Sequence, residues 1–116
     1  MSGGEDSGAA VKRALLASMG PGAAEQLALA QVRVAWDETV QQAGLARGRL
    51  HSRVVRVTGG TAHVEASEPI LAQELAMRAE ALVWAVNERM AGRPGSTIVL
   101  HRVTVSVGPA GGVASL

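Results

Sequence analysis

Three histidines, a run of arginines and two tryptophans are the residues of this chain best equipped for chemistry. His51, His63 and His101 fall one in each of three strand-like runs, an arrangement that would suit a zinc triad. No two of them stand at the close i, i+2 or i+4 spacing of a metal-binding pair, and the chain has no cysteine. No metal and no other cofactor is therefore expected. Glu65 lies two residues from His63 on the same strand face, a pairing too common to indicate acid–base catalysis. No P-loop, Ser/His/Asp set or paired-carboxylate pattern is present, and the expectation is a protein that is not an enzyme.

The arginines offer a different chemistry. Arg47, Arg49, Arg53 and Arg56 fall close together, and Arg102 lies in a later strand-like run. Arginine's planar fork suits phosphate, so these five are candidate contacts to a nucleic-acid backbone. Lys12 is the sole lysine and the net charge is only +1, so charge balance by itself does not decide for nucleic acid. A coding bias that favours Arg, Ala and Gly explains the same usage. "GRPG" (92–95) matches the G-x-x-G of KH domains, but there the loop joins two helices. Here it falls between a helix and a strand and reads as a helix stop.

Trp36 and Trp84 are the only aromatic residues, an aromatic share of 2%. With 47% hydrophobic residues the chain can still build a core, from Val, Leu, Ala, Ile and Met. Small side chains contribute little each at ~25 cal/mol per Å² buried, so a buried tryptophan would carry unusual weight. At 116 residues the expectation is a single domain over 10–108, between a disordered leader (1–9) and a flexible tail (109–116). No secretory signal or membrane-spanning run is evident, which points to a cytoplasmic protein with no membrane contact.

The elements that must position these residues follow from periodicity and punctuation. Residues 11–20 suit a short helix stopped by "GPG", and 23–43 a second one. Ala28, Leu29, Val32, Trp36 and Val40 form its apolar stripe at helical spacing, which makes Trp36 and Val40 core residues. Runs 49–58 and 61–67 read as strands joined through "GG" at 59–60, a primed-turn signal. Ser67 or Glu68 would cap the next helix, with Pro69 in its first turn. That helix is expected to run unbroken from about Ile70 to Met90, and a third strand over 96–108.

The order is α-α-β-β-α-β, an α/β (α+β) two-layer sandwich with helices on one face of a three-stranded sheet. Leu71, Leu75, Leu82, Val86 and Met90 mark the core stripe of the long helix. Met77, Ala81 and Trp84 fall nearly opposite. They either pack against an N-terminal helix or form a patch for a protein partner or a second copy of the chain. The open sheet face would present His51, Arg53, His63, Glu65, Arg102 and Thr104, with no aromatic to stack a base, so an RRM-like platform is not expected.

One group of residues resembles a known family. Trp36-x-x-x-Val40 is followed by Gly44 and Leu45, then by a hairpin and helix reading "GGTAHVEASEPILAQELAMRAEALVWAVNERM", then by a Val-rich strand. This is similar to the DciA family of bacterial proteins related to replicative-helicase loading. Gln73-Glu74-Leu75 matches the family's E-L element, and Asn87 its later Asn. Two features depart from the pattern: Ile70-Leu71 replaces an opening aromatic, and the glycine after Val40 arrives only at Gly44. The resemblance covers roughly residues 25–107. It implies a KH-like fold, a nucleoid-associated place in the cell, a DnaB-type replicative helicase as partner and weak contact to single-stranded or forked DNA. The alternatives are a KH-like RNA-binding adaptor in translation or RNA handling, and a homodimeric interaction module.

Overall fold

The computed structural model describes residues 22–93, 96 and 98–108. The helix expected over 11–20, the leader and the tail lie outside the described residues. Within them the fold is a small α+β domain, with helix α1 (Ala23–Gln42), strands β1 (Ser52–Thr58) and β2 (Thr61–Ala66), helices α2 (Pro69–Met77) and α3 (Ala79–Ala91), and strand β3 (Arg102–Val107).

The sheet order is β1-β2-β3. β1 and β2 form an antiparallel hairpin, with Ser52 opposite Ala66 and Thr58 opposite Thr61. Gly59 and Gly60 both take positive φ (55° and 79°), as a two-residue primed turn requires. A bulge between Val54 and Arg56 lets both Val54 and Val57 turn toward the helices. β3 lies parallel to β2, Arg102 beside Thr61 and Val107 beside Ala66, so the chain between them crosses over through α2 and α3.

Two elements differ from the sequence expectation. The single helix expected over 70–90 is divided at Arg78, whose φ of −106° and ψ of 14° leave the helical region. Its N–H is shared between the carbonyls of Glu74 and Leu75, and the ladder resumes with Leu82 N–H to Arg78 carbonyl. No Pro or Gly marks this break. It separates α2, which packs on β2 and β3, from α3, which packs on α1 and β3. The third strand is also shorter than 96–108, because Leu100 is claimed by a helix side chain. Asn87 donates its Nδ2 to the Leu100 carbonyl and accepts the Leu100 N–H on Oδ1, both at 2.8 Å. The two bonds reproduce what a neighbouring strand would supply.

Helix α1 ends in a Schellman arrangement. Leu45 N–H reaches the Val40 carbonyl at 2.8 Å and Gly44 N–H the Gln41 carbonyl at 3.1 Å. Gly44 takes the positive φ (74°) that this motif needs, while Val40 and Leu45 are buried beside it. The glycine's position is thus set by where the helix stops. At α2, Glu68 occupies the N-cap position without a side-chain bond, and Pro69 follows. Ser67 does not cap. Its hydroxyl donates to the Arg49 carbonyl and accepts from His51 N–H, tying the entry of β1 to the exit of β2.

The core lies between the helices and one face of the sheet. Trp36 is fully buried among Val32, Ala35, Val40, Val54, Val64, Leu71, Leu75, Leu82, Val86, Met90 and Leu100. Its indole N–H donates to Ser52 Oγ at 2.9 Å, so the one polar atom of the ring is satisfied inside the core. Arginines pin α1 to its neighbours. Arg33 Nε donates to the Val54 carbonyl at 2.8 Å, Arg89 to Thr39 Oγ1 and Gln42 Oε1, and Arg93 pairs with Glu38 at 2.6 Å.

Candidate nucleic-acid and partner interface

The open face of the sheet follows directly from the strand registers. Residues whose neighbours are buried against the helices must point the other way, and they form three rungs across the strands. Arg53, Glu65 and Ser106 make one rung, Arg56, His63 and Thr104 the next, and Thr58, Thr61 and Arg102 the last. Arg53, Arg56, Thr58, Arg102, Thr104 and Ser106 are exposed. The face therefore carries three arginines against a single carboxylate. Arg53 Nη2 lies 3.8 Å from Glu65 Oε1, a loose surface pair worth about 0–1 kcal/mol, which leaves the guanidinium available.

His63 occupies the centre of this face. Its Nε2 meets Thr58 Oγ1 at 2.8 Å and its Nδ1 meets Thr104 Oγ1 at 3.0 Å. Both ring nitrogens are thus engaged by hydroxyls from the two flanking strands. Hydroxyls can donate or accept, so the two threonines fix the ring's orientation on the face. His51 and His101 do not join it. Each precedes its strand, and among the described residues no group of three or more His, Cys, Asp or Glu is placed to hold a metal ion.

The five arginines singled out from the sequence are not gathered at one point. Arg53, Arg56 and Arg102 belong to the rungs of the sheet. Arg56 sits at the β1 edge and also lines a groove of about 360 Å³ beside the first turns of α1, with Glu25, Gln26, Leu29 and Ile98. Arg47 and Arg49 lie in the turn before β1, at the end of the sheet opposite Arg102. Arg47 instead lines a groove of about 350 Å³ with Gly44, Leu50, Ile70, Glu74 and Arg78.

The residues singled out for partner contact are exposed. Met77 retains 73% and Trp84 66% of its surface, and Ala81 between them is also exposed. None of the described helices covers them. Val40, Leu75 and Leu82, by contrast, are buried with Trp36.

A feature not read from the sequence is the environment of Trp84. The indole lines a groove of about 500 Å³ between α3 and the start of β3, together with Ala79, Glu80, Val83, Asn87, His101, Arg102 and Val103. The signal that could have pointed to it is the Trp84–Asn87 spacing. One helical turn after the tryptophan, the asparagine clamps the strand entry, which brings His101 and Arg102 alongside. His101 is held in turn by its own N–H to the Gly60 carbonyl at 2.8 Å, and its ring lies against Gly60. A Cβ on Gly60 would collide with His101 Cδ2.

No family model matches the chain, and no curated protein matches it either. The DciA-family resemblance therefore rests on the residues quoted for it. Among the described residues no helix is long and apolar enough to cross a membrane.

Proposed function

We propose that this domain is a non-enzymatic, DciA-like module that binds a DnaB-type replicative helicase and assists its loading on DNA. The observation that carries the reading is the exposure of Met77 and Trp84 in a chain with so few large side chains. Trp and Met are enriched where proteins meet, and a domain that buries its other tryptophan completely leaves this one outside. The sheet's three arginines supply a second, weaker element, an electrostatic contact to the DNA backbone.

The helicase contact is tested with purified replicative helicase from the source organism and immobilised domain. Met77→Glu and Trp84→Ala are each expected to lose capture while keeping the far-UV circular dichroism of the parent. Undiminished capture by both folded variants removes the patch from the interface. For the DNA contact, the log–log salt dependence of single-strand binding is expected to fall by about 1 in slope for Arg53→Gln. An unchanged slope removes that residue.

The RNA-adaptor reading has less support. A KH domain clamps RNA with a G-x-x-G loop between two helices, whereas α2 and α3 meet at Met77-Arg78-Ala79 with no glycine.

A further inference from the structure

The open sheet face has cationic side chains and hydroxyls, and its one ring, His63, is half-buried and tied on both nitrogens to Thr58 and Thr104, so the face offers no free indole or phenyl for a base. Sequence-tolerant binding of single strands needs both a backbone track and a stacking platform. The fold supplies the platform from outside the sheet. Trp84 comes from α3, yet it lines the same groove as Arg102, and Arg102 is the last rung of the sheet face. The groove and the basic face are therefore one continuous surface, joined at Arg102.

We infer that this groove binds single-stranded DNA, with an unpaired base stacked on Trp84 and the adjoining phosphate on Arg102 and His101. The choice of DNA rests on the proposed replication role, the stacking site rests on the groove itself, and on this assignment DNA and helicase compete for the Trp84 indole. Val83 and Ala79 give the groove an apolar wall beside the indole, as a base requires. Glu80 lies on the α3 side and repels phosphate, while Arg102 lies on the β3 side and attracts it. The charges thus orient the strand, base toward the helix and backbone toward the sheet. From Arg102 the backbone can continue past Thr61 and Thr58 to the rung of Arg56 and His63. The groove's about 500 Å³ falls in the range of sites that take a small ligand or a single base.

The two tryptophans make the test direct. Trp36 is fully buried with its N–H bonded, so Trp84 is the one indole a ligand can reach. Adding a short mixed-sequence single-stranded DNA to the intact chain at low salt is expected to quench the red-shifted, exposed part of the tryptophan emission, saturably. Trp84→Leu is expected to abolish the quenching and to weaken binding, followed by a fluorescent label on the DNA, roughly 5- to 150-fold. Trp84→Phe keeps a ring and should retain most of the affinity. An abasic strand of equal length should bind the parent as weakly as the base-bearing strand binds Trp84→Leu, with an unchanged salt slope.

Label-detected binding without quenching, or equal affinity of parent and Trp84→Leu, overturns the stacking site. So does an equal affinity for the abasic strand, or no binding at low salt. An RNA of the same sequence that binds more tightly overturns the choice of DNA. Helicase that shields Trp84 from iodide in the pull-down complex, with no shielding by DNA, assigns the groove to the protein partner and overturns the inference. Helicase capture and oligonucleotide quenching are separate measurements. Loss of the first with retention of the second defeats the proposed function while leaving this site standing.

Discussion

Replacing Trp36 by alanine removes the largest side chain in the core, and its cost can be worked from its surroundings. The ring is fully buried, and an aromatic of this size takes about 150–250 Å² out of water. At about 25 cal/mol per Å², that is roughly 4–6 kcal/mol as an upper estimate. Tryptophan-to-alanine substitutions in cores cost about 3–5 kcal/mol in practice. The variant also strips Ser52 Oγ of its indole donor while leaving that residue buried, which adds about 1 kcal/mol. The total of roughly 4–6 kcal/mol approaches the whole stability of many domains, about 5–15 kcal/mol. Few alternatives exist to fill the space, because the neighbours are Val, Ala, Leu and the single Met90, on elements already packed. Trp36→Ala is therefore expected to be largely unfolded. Trp36→Phe, which keeps a ring but loses the bond to Ser52, should cost about 1–3 kcal/mol. Urea unfolding followed by far-UV circular dichroism is the appropriate assay, since emission would lose its buried reporter. Trp84→Ala, run alongside, should shift the midpoint little, because that side chain is two-thirds exposed. A loss under about 2 kcal/mol for Trp36→Ala at unchanged m would refute the reasoning. So would an equal loss for Trp84→Ala.

Two further predictions concern the joints of the fold. Asn87→Ala leaves the buried Leu100 peptide without partners for its N–H or its carbonyl, a loss of about 2–3 kcal/mol. Amide exchange at Leu100 should accelerate in that variant, and unaltered protection would remove the clamp. Gly60→Ala meets both a positive φ and the ring of His101, whereas Gly59→Ala meets only a positive φ with open space around it. The first should cost about 1–3 kcal/mol and the second about 1 kcal/mol in thermal unfolding. Combining Gly60→Ala with His101→Ala should recover part of the difference, and strict additivity would show that the ring contact has no energetic effect.

Local signals account for most of the secondary structure. The α1 stripe through Val32, Trp36 and Val40, the Gly59-Gly60 turn and the alternation of β2 are each dictated by neighbours a few residues away, and the structure follows them. The burial of Leu71, Leu75, Leu82, Val86 and Met90 is likewise legible from helical spacing. The break at Arg78 was not legible, because no Pro or Gly causes it. It separates a helix lying on β2 and β3 from one packed against α1. Ser67 looked like a cap because its type suits one, but a strand entry sixteen residues away in sequence claims its hydroxyl.

The candidate site divides the same way. Composition and periodicity determined that Trp36 belongs inside, that Met77 and Trp84 face away from the core stripe, and that Arg53 and Arg102 lie on the open strand face, whereas Arg56 joins them only through the bulge. All but the last depend only on residue type and the 3.6- or 2-residue repeat. Only the tertiary structure decided which of those side chains share a surface. Parallel pairing of β3 with β2 sets Arg102 at the end of the sheet nearest the hairpin turn, and the Asn87 clamp draws that end against α3. A tryptophan and an arginine eighteen positions apart on different elements thereby line one groove. Contacts of that range are set by strand register and helix packing, and no repeat along the chain encodes them.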